Sequence, residues 1–230
     1  MDSKGYDRPE LLISPRELAG GLGLTGAEPA RPFAAAPVIV DTRPAESFAQ
    51  GHIPGAVHLD LWGFSLVDTD DAPRDAFLWM IHHVLEQRGI SGARPVVVYD
   101  DTTGMRAARL FWFLEYFGHP DTRVLDGGFA AWLDAQFAVT RDAVVPKPVQ
   151  WNASPVPGRA ASRHDVVRQL GSDGAVILDT RSDDEFTGRV ARAKRGGAIP
   201  GAPHVGYARL TRRGEAVPSM TRPTMRSTSW

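Results

Sequence analysis

The sequence contains no cysteine and no long apolar segment, and it carries almost no net charge. Without cysteine there can be no disulfide, thiolate metal site, iron–sulfur cluster or cysteine nucleophile. No stretch approaches the ~18 apolar residues of a membrane span, and the N-terminus lacks the apolar core of a signal peptide. A net charge of -1 and a pI near 6.7 give no general attraction to nucleic acid or acidic lipid. We therefore expect a cytoplasmic protein with neither nucleic acid nor membrane as a partner.

The pattern of apolar residues is sufficient for substantial cores. The 230 residues are 43% hydrophobic, which allows one large core or two of roughly 100 residues each. Strand-like and helix-like segments alternate through the first half, which predicts an α/β fold with a parallel sheet covered on both faces. The strands are predicted at 11–14, 38–40, 56–59, 96–99 and 123–125, and the helices at 15–22, 77–88, 105–117 and 128–132. The helix at 105–117 is apolar nearly all round, so we expect it to lie deep in the core.

A change in composition divides the chain. Residues 138–159 are rich in proline, which predicts an extended and poorly packed linker. A helix at 162–170 and a strand at 175–178 then restart the alternating pattern. After Leu210 the sequence becomes basic and polar and loses its periodicity. The predicted organisation is a complete domain at 8–137, a linker at 138–159, a partial domain at 160–210 and a disordered tail at 211–230.

The second half repeats part of the first. The segment VIVDTRPAESF at 38–48 aligns with VILDTRSDDEF at 176–186, and the IPGA of 53–56 recurs at 199–202. The separation far exceeds the ~20–50 residues of a solenoid repeat, so these are two domains. The second copy carries an eight-residue insertion between the two motifs. The insertion is basic, with Arg189, Arg192, Lys194 and Arg195 inside or beside it.

These motifs resemble the rhodanese domain of sulfurtransferases. The resemblance rests on Asp-Thr-Arg at a strand end with Phe five residues later, GHIPGA at 51–56, and VLDGGF with Trp at 124–132. It covers all expected elements in the first half and only the opening half of a second copy. It implies a tandem α/β fold in which the first copy is usually silent and the second supplies a cysteine. That cysteine takes sulfur from thiosulfate or 3-mercaptopyruvate and passes it to cyanide or another thiol.

The loop after the 96–99 strand is where this chemistry would occur. A strand-to-helix loop gathers unpaired N–H groups and the positive end of the helix dipole, which stabilise a thiolate or a bound anion. Here the loop begins with Asp100 and Asp101, and a carboxylate cannot carry transferable sulfur. The corresponding loop of the second copy would lie beyond Trp230. We expect this chain to be the inactive product of a frameshift or a premature stop. No cofactor is predicted, and the sequence does not indicate an oligomeric state.

Four arginines are candidates for binding the small sulfur-containing anion of the intact family. Arg106 and Arg109 follow the loop on its helix, and the competing interpretation is a solvated or interdomain ion pair. Some two-domain members carry an arginine just before the second-copy Phe, where this chain has Glu185. Arg189 and Arg195 are candidate substitutes for it. No catalytic residue is predicted.

Other polar motifs receive structural interpretations. Asp41-Thr42-Arg43 is expected to cap a helix and to form a local ion pair rather than to touch a substrate. The pairs His52/His58 and His82/His83 lack the i, i+4 spacing of a zinc pair, so no metal site is predicted.

Two alternative functions remain open at this point. One is a non-catalytic binding module that presents the loop from Asp100 to Arg106 to a partner. The other, weaker, is metal-assisted hydrolysis by Asp41, Asp100 and the histidines.

Overall fold

The computed structural model describes residues 7–24, 33–66, 68–102, 104–213 and 218–220. These residues belong to two compact units. Unit 1 contains the described residues up to Ala160, together with 213 and 218–220, and unit 2 contains residues 161–212. Within the part of the chain that is described, no helix has both the length and the apolar character needed to cross a bilayer.

Unit 1 alternates strands and helices. A 3-10 turn at Pro9–Leu11 precedes the first strand, and the remaining elements follow in the order β1 (Leu12–Ile13), α1 (Pro15–Gly21), β2 (Val38–Asp41), α2 (Ala45–Gln50), β3 (Val57–His58), α3 (Asp71–Gln87), β4 (Val96–Tyr99), α4 (Met105–Tyr116), β5 (Thr122–Leu125) and α5 (Gly128–Asp134). The five strands form one sheet in the order β1-β5-β4-β2-β3, and every pair is parallel. The predicted α/β class with a parallel sheet is therefore confirmed.

The sheet has a core on each face because successive strand residues point to opposite sides. Val40, Val96 and Val98 pack on one face with apolar residues of α3 and α4. Ile39 and Val97 pack on the other face with residues of α1 and α5. Both layers of helices are needed, since the central strands β2 and β4 are buried along their whole length.

Two helices differ from their predictions. α3 begins at Asp71, earlier than the predicted Phe77, because its first turn is exposed and offers no apolar signal; Arg74 pairs there with Asp71. α4 is not buried all round, since Trp112 is 39% exposed. Its ring instead stacks on Tyr116 one turn later, at 5.4 Å between centroids. The sequence pattern does not distinguish a buried aromatic from one that lies along the helix surface.

The proline-rich segment has no helix or strand, but it packs on unit 1 more closely than expected. Its backbone N–H groups donate to α3: Val149 N to the carbonyl of Glu86 at 3.1 Å and Trp151 N to the Glu86 carboxylate at 2.7 Å. The Trp151 ring lies against Phe117 and His82. A backbone carbonyl and a side chain of α3 thus accept hydrogen bonds from a segment whose sequence shows no periodicity.

Unit 2 contains α6 (Arg163–Gln169), α7 (Asp183–Phe186) and a 3-10 turn at Tyr207–Leu210. The strand predicted at 175–178 is not formed. In the part of unit 2 that the structure describes, a single parallel bridge joins Asp179 to His204. The prediction failed because β-branched residues form a strand only where a neighbouring strand can pair with them.

Two further strands, β6 (Thr211–Arg213) and β7 (Pro218–Met220), lie within the segment expected to be a disordered tail. The rest of that segment falls outside the described residues. The boundaries assigned to the domains, the linker and the tail stay predictions.

Candidate functional site

The loop between β4 and α4 is organised around the carboxylate of Asp100, which is buried. One oxygen accepts the N–H of Gly104 at 3.1 Å. The other accepts the N–H groups of Arg106 at 3.0 Å and Ala107 at 3.2 Å. These donors are the otherwise unpaired groups at the start of α4. The place where an anion or a thiolate would be stabilised is therefore filled by a side chain of the protein itself.

The electrostatics of this loop reflect two opposed effects. Burial raises the pKa of Asp100 above its ordinary value because the charged form loses hydration. The backbone hydrogen bonds from Ala107, Gly104 and Arg106 act in the opposite direction and lower it. The geometry is that of a cradle for one negative group, already occupied.

A close backbone approach fixes the loop against α5. Phe129 N donates to the carbonyl of Asp100 at 2.8 Å, and Ala130 N donates to that of Asp101 at 3.1 Å. Gly128 allows this approach: its φ is +61°, and a Cβ there would lie 2.5 Å from the Asp100 carbonyl oxygen. The glycine pair at 127–128 is thus a turn that the loop requires sterically.

Beside the loop lies a buried network centred on Arg43. Its guanidinium forms a bidentate ion pair with Asp41, at 2.6 Å for the shorter contact, and donates to the Gly51 carbonyl at 2.7 Å. The Tyr99 hydroxyl donates to the same Asp41 carboxylate at 2.6 Å. Burial and the neighbouring Asp41 charge raise the pKa of Tyr99 far above its ordinary value, so the hydroxyl stays a donor. The Arg43 guanidinium also lies 3.7 Å from the ring centre of Phe129.

An open cleft of about 340 Å³ adjoins this network. The Asp101 side chain is 60% exposed there, and its carboxylate lies 3.9 Å from Arg43. The cleft is lined by Arg43, Ser47, Gln50, Gly51, Asp101, Phe129, Leu133 and Val139. Its surface is mixed polar and apolar, and Arg43, the one cation among the described residues that line it, is already paired with Asp41.

Arg106 and Arg109 serve a loop of unit 1. Arg106 pairs with Asp60 at 2.6 Å. Arg109 donates to the carbonyl oxygens of Leu61, Trp62 and Phe64. Both guanidinium groups lie near the Trp62 ring, at 5.0 and 5.2 Å from its centre. The guanidinium groups of Arg106 and Arg109 thus donate to oxygen atoms of the 60–64 loop and hold that loop against α4.

Of the candidate arginines in unit 2, one is paired with an acidic side chain of α7. Arg189 pairs with Asp184. Glu185 forms a capping box with Ser182 and pairs with Arg192 at 2.6 Å. Arg195 is exposed. Arg189 and Arg195 belong to unit 2, whereas Arg106 and Arg109 belong to unit 1. A role of these arginines in anion binding stays a prediction.

The histidines near the Asp-Thr-Arg motif are hydrogen-bonded to backbone carbonyls. His52 contacts the Phe48 carbonyl at 2.9 Å and stacks on the Phe48 ring. His58 contacts the Arg43 carbonyl at 2.8 Å. Among the described residues, no three His, Asp or Glu side chains are arranged to hold a metal ion.

Sequence reasoning did not identify Tyr99 and Phe129 as partners of Arg43. The sequence places Tyr99 in a buried strand and Phe129 in the VLDGGF motif. Nothing in the local sequence shows that these rings converge, because they come from different elements. An aromatic hydroxyl at the end of a buried strand, which needs a hydrogen-bond partner, is the one available signal.

The fold and this loop define a rhodanese-like domain, and the comparisons agree. The family model of the rhodanese-like domain matches residues 28–135. The chain is 32% identical over 204 residues to a thiosulfate sulfurtransferase of Pseudomonas aeruginosa, covering 84% of this chain and 67% of that protein. It is 33% identical over 216 residues to one of Corynebacterium glutamicum, covering 86% and 65%.

A solved structure shows the same fold. The wild-type structure of EanB matches with a TM-score of 0.77 and 24% identity, over 94% of this chain and 55% of that one. The chain spans about two thirds of the length of the two curated relatives above. The chain belongs to the rhodanese sulfurtransferase family.

Proposed function

We propose that this chain is a member of the thiosulfate or 3-mercaptopyruvate type of the family that does not itself transfer sulfur. The observation that carries the proposal is the Asp100 carboxylate, which occupies the N-terminus of α4 through three backbone hydrogen bonds. A carboxylate has no sulfur to receive or to pass on, and the sequence has no cysteine elsewhere. The names of the relatives support thiosulfate as the kind of donor used by intact members.

Each step of sulfur transfer in a cysteine-dependent member requires a thiolate. The thiolate attacks the outer sulfur of thiosulfate, whose S–S bond breaks to release sulfite. The acceptor, such as cyanide, then attacks the outer sulfur of the resulting persulfide, and the cysteine thiolate leaves as thiocyanate forms. In this chain the N–H groups that would stabilise such a thiolate hold an oxygen anion instead. The loop thus retains the N–H groups that stabilise an anion, but it lacks the cysteine sulfur that would react.

The lack of cysteine allows a clean test of this interpretation. Asp100→Cys introduces a single thiol where three N–H groups converge, whereas Asp101→Cys introduces one on the neighbouring, largely exposed position. Burial raises the pKa of Asp100 and the three N–H groups lower it. A thiolate carries its charge on a larger atom and loses less on burial, so we expect the N–H groups to dominate, with the first thiol having a pKa below the ordinary value of about 8.5 and the second near it. The ultraviolet absorbance of the thiolate, followed against pH, measures both without requiring access for a reagent.

The outcome depends on both variants being folded, which circular dichroism checks. Asp100→Asn serves as a neutral control for the loss of the buried charge. If the two thiols titrate together, or if the Asp100→Cys thiol titrates higher, the N–H groups of the loop do not stabilise a thiolate, and the argument from the Asp100 carboxylate fails.

A binding module is the second candidate, and the exposure of Asp101 at the cleft favours it. A partner that binds this loop would contact Asp101 and the rim of the cleft around Leu133. Its binding would be lost in Asp101→Ala and kept in Asp134→Ala, which removes an exposed acidic residue from the end of α5. Equal binding by both variants would rule out recognition through this loop.

A further inference from the structure

One edge of the Arg43 guanidinium has no hydrogen bond to the protein. Its Nε and Nη2 atoms donate to the Asp41 carboxylate, and Nη2 also donates to the Gly51 carbonyl. Nη1 forms no hydrogen bond with any residue that the structure describes, and the Asp101 carboxylate lies 3.9 Å from it. That distance is too long for a hydrogen bond. The two N–H groups of Nη1 are therefore available to an acceptor from outside the chain.

These N–H groups belong to the cleft beside the β4–α4 loop. The Arg43 side chain is 4% exposed, and its accessible part contributes to the wall of the cleft. The guanidinium is held in place by the ion pair with Asp41 and by the Phe129 ring, whose centre is 3.7 Å away. A ligand that enters the cleft thus meets a donor that is already ordered, which lowers the entropic cost of binding.

The charges around the cleft disfavour a ligand of one sign. The Arg43 cation is balanced by Asp41, and Asp101 adds a further negative charge on a side chain that is 60% exposed. An anion bound to Nη1 would face the Asp101 carboxylate and be repelled by it. A cation bound to Asp101 would lie beside the Arg43 guanidinium and leave the N–H groups of Nη1 unpaired. The arrangement therefore favours a ligand that carries both charges side by side.

The rest of the wall offers an apolar surface next to these charges. Leu133 is 49% exposed and Val139 is 46% exposed, and both line the cleft together with Phe129. The volume of about 340 Å³ is at the lower end of the range for small-molecule sites. A small apolar group attached beside the two charges would contact this surface.

We propose that the cleft binds a free α-amino acid with an apolar side chain. Its carboxylate would accept from Arg43 Nη1, and its ammonium group would donate to Asp101. Both groups are attached to the same carbon of the ligand, which suits the short separation of Nη1 and Asp101. The apolar side chain would lie against Phe129, Leu133 and Val139.

This site is distinct from the functions proposed above. Its ligand is a small molecule, so binding does not require a macromolecular partner at the loop. It also does not depend on whether the chain transfers sulfur, because neither Arg43 nor Asp101 carries a sulfur atom.

Three probes of similar shape separate the contributions of the two charges. L-leucine carries both charges, 4-methylpentanoate lacks the ammonium group, and 3-methylbutylamine lacks the carboxylate. We expect L-leucine to bind the full-length protein with a Kd of about 1 mM or tighter. Each of the other two should bind at least about tenfold more weakly, because each loses a charge-assisted hydrogen bond. Shifts of the backbone amide resonances around Arg43 and Asp101 in a nuclear magnetic resonance titration measure the affinities and locate the site.

A matched pair of variants tests the role of Asp101. Asp101→Ala removes a largely exposed side chain and should weaken the binding of L-leucine about tenfold or more. Asp134→Ala, which removes an exposed acidic residue from the end of α5, should leave the affinity within about twofold. Arg43 is kept in both variants because its replacement would destabilise the fold.

Four outcomes would each overturn the proposal. The first is the absence of saturable binding of L-leucine, and the second is equal binding of L-leucine and either of the other probes. The third is equal affinity of the two variants for L-leucine. The fourth is saturable binding that shifts resonances away from Arg43 and Asp101, which would assign the ligand to another part of the chain.

Discussion

The Asp–Arg pair at the end of a strand occurs twice in this chain, in two environments. In unit 1 the Arg43 side chain is 4% exposed, and its partner Asp41 is fully buried and shared with Tyr99. In unit 2 the Arg181 side chain forms the same hydrogen bonds while being 46% exposed. The two ion pairs thus have the same hydrogen bonds but differ in their exposure to water. Exposure is the main determinant of what an ion pair contributes to stability.

Replacing the two arginines should have unequal effects on folding. Arg43→Ala leaves the Asp41 carboxylate buried without its cation and should lower the free energy of unfolding by about 3–5 kcal/mol. Arg181→Ala should lower it by about 1 kcal/mol or less, because water can replace the lost partner. Urea unfolding followed by circular dichroism compares them. Similar losses in both variants would mean that burial does not control the strength of this pair.

Gly128 is a second residue whose role can be isolated by a matched variant. Both Gly128 and Gly158 have positive φ, but a Cβ at Gly158 would meet nothing within 4 Å. Alanine at either position incurs the left-handed penalty, and alanine at 128 also collides with the Asp100 carbonyl. We expect Gly128→Ala to be less stable than Gly158→Ala by about 1–3 kcal/mol. Equal thermal unfolding temperatures would show that the loop can move away without loss.

The residue scale also shows what a sequence can reveal about this site. Asp100 and Asp101 could be placed in the loop, and a local ion pair of Arg43 could be expected, because these residues lie in recognisable motifs. The expected cap by the Asp-Thr-Arg motif was wrong, since α2 has no side-chain cap and Asp41 instead pairs with Arg43. That Arg106 and Arg109 fasten the 60–64 loop could not be foreseen. Their partners are carbonyl oxygens and an aspartate more than 40 positions away, and an arginine that binds an anion has the same local sequence.

Among the elements, the turn from α4 to β5 holds a buried histidine. His119 donates from Nε2 to the Ser91 carbonyl at 3.0 Å, so Nδ1 is left to accept from the Thr122 hydroxyl, also at 3.0 Å. Burial lowers the pKa of His119, although hydrogen bonds to Ser91 and Arg94 oppose the shift. The neutral ring is therefore the form that the fold requires.

This predicts a dependence of stability on pH. Because the folded pKa lies below the unfolded value of about 6.5, stability from His119 is complete above pH 6.5 and is lost as the pH falls towards the folded pKa. His119→Gln should remove that dependence, so the stability difference between the native protein and the variant should shrink below about pH 6.5. Urea unfolding over a pH series measures this difference, and a constant difference would contradict the prediction.

At the scale of elements, runs of β-branched residues predicted the central strands of unit 1 well. Val96–Tyr99 was placed without error, and Val38–Asp41 within one residue. The same kind of run at 175–178 formed no strand. The difference lies in the neighbours: β2 has strands on both sides, whereas the one described partner of 176–179 is the short segment at 203–205. A segment thus forms a strand only when a neighbouring strand pairs with it, and the sequence pattern of the segment does not show whether that neighbour is present.

For the whole molecule, the family and the α/β class follow from motifs that are local and strongly spaced. The packing of the proline-rich segment does not, because Trp151 finds its place through contacts with α3 and α4 that no periodicity encodes. The account that results is of a rhodanese-family chain whose anion cradle is built and filled by its own carboxylate, without a thiol to carry sulfur.

The most direct test of that account is the formation of thiocyanate from thiosulfate and cyanide by the purified full-length chain. The thiosulfate sulfurtransferase of Pseudomonas aeruginosa serves as the positive control under the same conditions. We predict that the rate equals that of the protein-free mixture at every concentration of the chain. A rate that rises in proportion to the concentration of the chain would contradict the account, because sulfur would then be transferred without a cysteine.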